Sequence, residues 1–494
     1  MPVSAVGRAC SGYPAIDRSL STKFANLLFS LHFLLATNLQ LPILLHMNSL
    51  KIHSQITCPH CWAEVHPADF LWVSSSTELR GDPYLGSEAL KRFLPSRFDY
   101  QGFAIDEKGS RCESIACPKC HLVVPRILCE NWPLFLSILG APSSGKSYFL
   151  AAAVWEARQR LCEFNVNFVD ADPVANKVIS DYEKKLFLSD DQEQLVSILK
   201  TEADGNLYQE VNFGSHTELF PRPFVFSVRP DEANPFGQFQ GHVAMHSRAL
   251  CLYDNAGEHF LPDAEAELSP ATSHLALSKA LLFVFDPIQH PKFRRETRGF
   301  SDDPQLGKDF MTYRQDEVLQ EAAKRIRRKA NLAETDKFEK PLIVVVNKYD
   351  VWRHLTPKLD LEKINPFVKT NGGVVINASL IRKVSDHVEQ LLKKLAPEIV
   401  STCKAFCKDI TYIPVSPIGN SPERNMQCGA NFLGVRPRNI SPIWAEVPLL
   451  YAMARSGCRL IPMAESSSKK GSAAAKSRVA PAETTQKASQ EGGR

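Results

Sequence analysis

The chain lacks a dominant charge of either sign: 58 Lys and Arg stand against 54 Asp and Glu, a formal net charge of +4 over 494 residues. That balance gives no warrant for a nucleic-acid or other polyanionic partner. It lacks an even cysteine complement behind a secretory leader. There are 13 cysteines, and no small-residue cleavage pattern precedes Met47, which argues against a disulfide framework. It lacks an internal repeat. It also lacks a clean apolar run of membrane-spanning length, for which about 20 predominantly apolar residues are needed. The Leu- and Phe-rich stretch 24–45 is interrupted by Asn26, His32, Asn38, Gln40 and Pro42. Residues 1–46 are therefore read as lying outside the working protein, with Met47 as the start. A membrane anchor over 24–45 is the alternative. The last stretch, 465–494, is Ser, Ala, Lys and Gly with almost nothing apolar, and is expected to be disordered.

Two short cysteine patterns are present, Cys58-Pro-His-Cys61 and Cys117-Pro-Lys-Cys120, within a module over residues 47–127. Each is a tight turn presenting two thiolates, a usage that fits the reducing cytoplasm. Two such turns make the four-sulfur tetrahedron typical of structural zinc, with Cys58, Cys61, Cys117 and Cys120 as ligands. A closed site of that kind predicts stability rather than catalysis. The spacer, residues 62–116, is long and implies an insert. His60, His66, Cys112 and His121 are alternative ligands. Two unrelated reduced pairs, or a redox pair, are the competing readings. The spacer is not strongly basic, which favours scaffolding or a protein partner over nucleic acid.

From 132 to 462 short apolar runs alternate with helical patterns. The runs are Leu134–Leu139, Phe164–Val169, Phe224–Val228, Ala249–Tyr253, Ala280–Phe285, Leu342–Val346 and Tyr412–Val415. Helices fit Lys146–Leu161, Val174–Phe187, Tyr313–Lys329, Leu380–Lys404 and Pro442–Ala454. This alternation predicts an α/β fold with a mainly parallel sheet covered on both faces. Long inserts at 170–222 and 288–340 are expected beside a site.

Three motifs sit at the ends of these runs. Gly140-Ala-Pro-Ser143-Ser144-Gly145-Lys146-Ser147 fits a phosphate-binding loop between a strand and a helix. Its glycines allow the tight turn and its amides point at an anion. Lys146 is expected to reach β- and γ-phosphates, and Ser147 to ligate Mg²⁺. Asp254-Asn-Ala-Gly257 follows the run 249–253. Asp254 is placed to hold the Mg²⁺ sphere and Gly257 to offer its N–H to the γ-phosphate. Glu258 follows, then His259. Asn347-Lys348-Tyr-Asp350 ends the run 342–346. A carboxylate at 350 can accept from the N1–H and 2-amino group of guanine, donors that adenine lacks. Asn347 can brace the phosphate loop, the stem of Lys348 can cover the ring, and Ser416 opens a turn facing the guanine O6. Thr217 is the expected Mg²⁺-ligating switch threonine, with Thr201 as the alternative.

In this order, from Leu134 to Ser416, the motifs resemble the translation-factor-related (TRAFAC) class of GTPases. With the upstream cysteine turns, the chain is similar to bacterial double-GTPase-type proteins. The resemblance implies a P-loop NTPase three-layer sandwich behind a zinc-ribbon-like module. It further implies GTP and GDP with Mg²⁺ as cofactors, Lys146, Thr217 and Glu258 as catalytic groups, and a protein effector or activator. Two departures stand out. The separation of Lys146 from Asp254 is large, and Glu258 occupies the place where many GTPases carry a water-orienting Gln. A GTP-binding scaffold with little turnover and a P-loop ATPase are the competing functions.

Overall fold

The structure is a computed structural model that describes residues 53–198, 207–255, 257–260, 273–307, 310–424 and 433–464. The stretches 24–45 and 465–494, and Thr201, lie outside the described residues. Among the described residues no helix is long and apolar enough to cross a membrane.

One seven-stranded sheet organises the α/β region. Its strands in chain order are β1 (Trp132–Leu139), β2 (Val166–Asp170), β3 (Phe224–Pro230), β4 (Arg248–Asp254), β5 (Ala280–Phe285), β6 (Leu342–Val346) and β7 (Ile410–Pro414). Their spatial order is β2-β3-β4-β1-β5-β6-β7. β3 runs antiparallel to both neighbours, and every other pairing is parallel. The runs that form β5 and β6 are apolar at every position and buried at every position, as parallel strands covered on both faces must be. The chain leaves β1 toward the β4 side and returns to the β5 side. The C-terminal end of β1 is therefore a topological switch point, where open α/β sheets place ligands.

Six helices matter for the site: α1 (Lys146–Glu163), α2 (Lys177–Leu186), α3 (Gln315–Ala330), α4 (Ala378–Leu395), α5 (Pro397–Phe406) and α6 (Val447–Arg455). The helix expected over Leu380–Lys404 is two helices. Pro397 bars the preceding residue from the helical region, and Ala396 takes φ −139 and ψ 61. The helix expected from Pro442 begins five residues later, because Ile443 pairs with Ser416 in a short β-bridge.

The alternation of side chains along β1, β3 and β4 explains the cysteine module. Leu134, Leu136 and Ile138, with Phe224, Phe226, Leu250 and Leu252, enter the core beneath α1. The intervening Phe135, Val225, Ala249, Cys251 and Tyr253 face the other way. They share a second core with Ile56, Val65, Phe70, Ile115 and Val124 of the module. On this half of the sheet the covering layer is the cysteine module. The long spacer supplies three strands of a four-stranded antiparallel sheet in the order Val123–Val124, Ile115–Ala116, Leu71–Val73, Arg92–Phe93, the first of which follows the second cysteine turn. Two small hairpins complete it.

Candidate functional site

The phosphate loop leaves β1 and closes on α1. Gly140 has no room for a side chain: a Cβ there would stand 2.6 Å from the Val284 carbonyl oxygen. Gly145 takes φ +86, and its Cβ would meet Asn347 Nδ2 at 2.6 Å. Ser143 is also left-handed at φ 58. Such alternation turns successive amides inward and makes an anion-binding nest. The nest opens onto the N-terminus of the 18-residue α1, where Gly145 offers no side-chain cap, so the first helical amides keep their affinity for an anion. Lys146 is buried, and its Nζ donates to the Gly140 and Ala141 carbonyls at 3.1 Å each.

The end of β4 packs directly on this loop. Asn255 Nδ2 donates to the Ile138 carbonyl at 2.8 Å. A Cβ on Gly257 would lie 2.5 Å from the Pro142 nitrogen and 2.7 Å from the Gly140 carbonyl oxygen. Glu258 follows in a short 3-10 turn and lines the cleft. Tyr182 of α2 hydrogen-bonds the Ser147 side chain and feels the Asp254 carboxylate. Burial first, then that charge, pushes its pKa up to about 12. Tyr182 thus bonds Ser147 within range of the Asp254 charge. Thr217 is elsewhere. It is exposed at the start of Thr217–Pro221, paired with Asn212 in a hairpin, and does not line the cleft. The hairpin buries Val211 and Phe220 in the module's core, which holds it away from the phosphate loop.

On the other side of β1, the ends of β5, β6 and β7 build a second half of the same cleft. Asn347 Nδ2 donates to the Ser144 carbonyl at 2.9 Å and ties the β6 end to the phosphate loop. Lys348 is left-handed at φ 56, and its Nζ donates to Asp286 Oδ2 at 2.6 Å and Gln305 Oε1 at 2.9 Å. Ser416 Oγ donates to Asp350 Oδ1 at 2.5 Å and accepts from the Gly419 amide at 2.9 Å. Burial raises the pKa of Asp350, while the Ser416 hydrogen bond pulls it down. Ile198, Ile418, Leu433 and Val435 give the cleft an apolar wall. Val196 and Val435 exchange backbone hydrogen bonds of 2.9 and 2.8 Å and close that wall. The cleft holds about 240 Å³.

Sequence reasoning passed over Asp286, Asp303, Gln305 and Tyr182. Asp286 had a signal, since it directly follows an apolar run, as Asp254 and Asn347 do. Asp303 and Gln305 sit in the charged insert 288–340, where no periodicity marks them. Tyr182 belongs to the buried face of an amphipathic helix and looks like an ordinary core residue.

The four knuckle cysteines come together. Their sulfurs all lie within 4.8 Å of one another, with Cys58 to Cys120 at 3.8 Å and Cys61 to Cys117 at 3.6 Å. A metal tetrahedron with bonds of about 2.3 Å has edges of about 3.8 Å, so the set fits. The two turns repeat each other. Trp62 and His121 follow the second cysteine in the left-handed region, at φ 56 and φ 60. The amides of His60 and Lys119 point at the Cys58 and Cys117 sulfurs. The alternative ligands are engaged otherwise. His60 bonds the Pro221 and Val123 carbonyls, His121 bonds Asp82, His66 caps Ala68, and the Cys112 thiol meets the Ser110 carbonyl.

No family model matches the chain, and no curated protein matches it. Solved structures overlap it at low scores. Era Y63A of Aquifex aeolicus bound to GDP.AlF4- is 15% identical, with a TM-score of 0.20, over 58% of this chain and 52% of that one. The Ski7 GTPase-like domain of S. cerevisiae bound to GTP is 15% identical, with a TM-score of 0.22, over 58% and 43%. The signal recognition particle receptor SRb-GTP/SRX complex of Chaetomium thermophilum is 10% identical, with a TM-score of 0.22, over 58% and 95%. The chain thus spans about half of the Era chain it matches.

Proposed function

We propose that the chain binds GTP in this cleft and hydrolyses it slowly to GDP and phosphate as a regulatory switch of the TRAFAC type, with a structural zinc in the cysteine module. One observation carries the reading. A phosphate nest, the half-buried Asp350 carboxylate in the short helix that follows β6 and the brace Asn347–Ser144 meet in a single cleft. The nest and Lys146 take the β- and γ-phosphates. Asp350, steadied by Ser416, accepts from the N1–H and 2-amino group of guanine. The stem of Lys348 and the apolar wall enclose the ring. Ser147 and Asp254 suit Mg²⁺, which supplies charge neutralisation of the phosphate oxygens. Gly257, pressed on the loop, is placed to bond the γ-phosphate through its N–H.

In hydrolysis, water attacks the γ-phosphorus, the bond to the β–γ bridging oxygen breaks, and GDP leaves. Glu258 cannot donate the amide hydrogen bond of a glutamine, and its charge opposes an anionic γ-phosphate. Slow unaided turnover and a protein activator follow. That same residue favours a second reading, a GTP-binding scaffold with little turnover.

Equilibrium binding and single-turnover phosphate release by the full chain with Mg²⁺ test both readings. GTP and GDP should bind, and ATP at least about a hundredfold more weakly, because it leaves the Asp350 carboxylate unpaired. Equal affinity for ATP contradicts the guanine reading. Tight GTP binding without phosphate release selects the scaffold.

A further inference from the structure

One carboxylate in the cleft has no place in the scheme above. Asp303 comes from the charged insert 288–340 and is 4% exposed. Its Oδ1 accepts the Gln305 amide at 2.7 Å and caps the short turn Pro304–Leu306. Its Oδ2 is buried without a hydrogen-bond partner. The residue lines the cleft with Lys348 and Asp350. The charged groups facing it are Lys348, Asp286 and Asp350. Lys348 is committed, its Nζ held by Asp286 and Gln305. Asp286 is satisfied by Lys348 and by the Ile288 amide. Asp350 has Ser416.

An unpaired buried carboxylate oxygen costs free energy in the empty protein. A ligand bringing a neutral hydrogen-bond donor removes that cost. Phosphate oxygens cannot do so, being acceptors and anionic. The donors left on a guanosine nucleotide are the second hydrogen of the 2-amino group and the ribose hydroxyls. Resting on the guanine reading, we propose that Asp303 is a second acceptor for the nucleoside, beside Asp350.

The test compares GTP, inosine triphosphate, 2′-deoxy-GTP and 3′-deoxy-GTP on the full chain and on Asp303→Asn. Inosine lacks the 2-amino group. Asp303→Ser serves as a second variant, because a serine keeps the cap on the turn 304–306 without supplying Oδ2. Both variants should lose about tenfold to a hundredfold in GTP affinity. Both should also lose part of the wild-type preference against one analogue. Loss against inosine triphosphate assigns the 2-amino group, and loss against a deoxy nucleotide assigns that hydroxyl. Unchanged affinities and preferences for all four nucleotides in either folded variant overturn the proposal. ATP is titrated on the wild type as a separate control, and equal affinity for ATP and GTP there makes the guanine reading itself fail, a result separate from the behaviour of Asp303.

Discussion

At the scale of single residues, the proposed phosphate site turns on Lys146. The Lys146 ammonium sits on two loop carbonyls, where a phosphate would offer it charge as well. Lys146→Ala should abolish nucleotide binding in a titration while the circular dichroism spectrum and unfolding midpoint stay close to wild type. Unchanged affinity would remove the phosphate site. Asp303 gives a pH-dependent expectation. Burial pushes its pKa up to about 6 from an ordinary 3.8. An acid raised on folding holds its proton more tightly in the folded state, so its ionisation costs stability. That cost is absent below about pH 4, grows between 4 and 6, and is complete above. Asp303→Asn should therefore stabilise the ligand-free protein by about 3 kcal/mol at neutral pH, a gain that vanishes near pH 4. Denaturant unfolding at several pH values measures it. A variant more stable when empty and weaker in binding is the expected pattern for a residue kept for its ligand.

At the scale of elements, the strands were legible because their chemistry is extreme. The apolar runs that form β5 and β6 have the same bounds in the structure as in the sequence. The edges of helices were less so. Pro397 was a readable breaker that the periodic pattern across 380–404 concealed. The hairpin carrying Thr217 could not be located from sequence, because what holds it is contact between Val211, Phe220 and a module far away in the chain. The juxtaposition of the β4 turn and the phosphate loop was equally invisible, yet it sets the chemistry. Gly257→Ala would push a Cβ into backbone at 2.5 Å, and backbone cannot yield as a flexible side chain can. The turn must then withdraw from the loop. The affinity for GTP should fall relative to that for GDP in the variant, while GDP binding changes little. Measured affinities of both nucleotides check this, and an unaltered ratio would show that Gly257 does not sense the third phosphate.

At the scale of the whole molecule, the cysteine module forms one layer of the α/β fold. It buries the face of β1, β3 and β4 that helices leave uncovered. It also holds the residue beside Asp254, since the Tyr253 hydroxyl donates to the Pro59 carbonyl within the first knuckle at 2.6 Å. One metal atom per chain is expected by elemental analysis. Stripping it with a chelator should cost several kcal/mol of unfolding free energy and weaken nucleotide binding with it. A metal-free protein with an unchanged midpoint would contradict the structural role.

Base preference is the sharpest test of guanine binding in the proposed site. Guanine presents a 2-amino donor where xanthine presents an oxygen, so a carboxylate at 350 suits the first and an amide the second. Competition binding among GTP, ATP and xanthosine triphosphate should show the wild type choosing GTP. Asp350→Asn should lose about tenfold to a hundredfold in GTP affinity and turn toward xanthosine triphosphate. Identical preferences in wild type and variant would mean that Asp350 does not read the base.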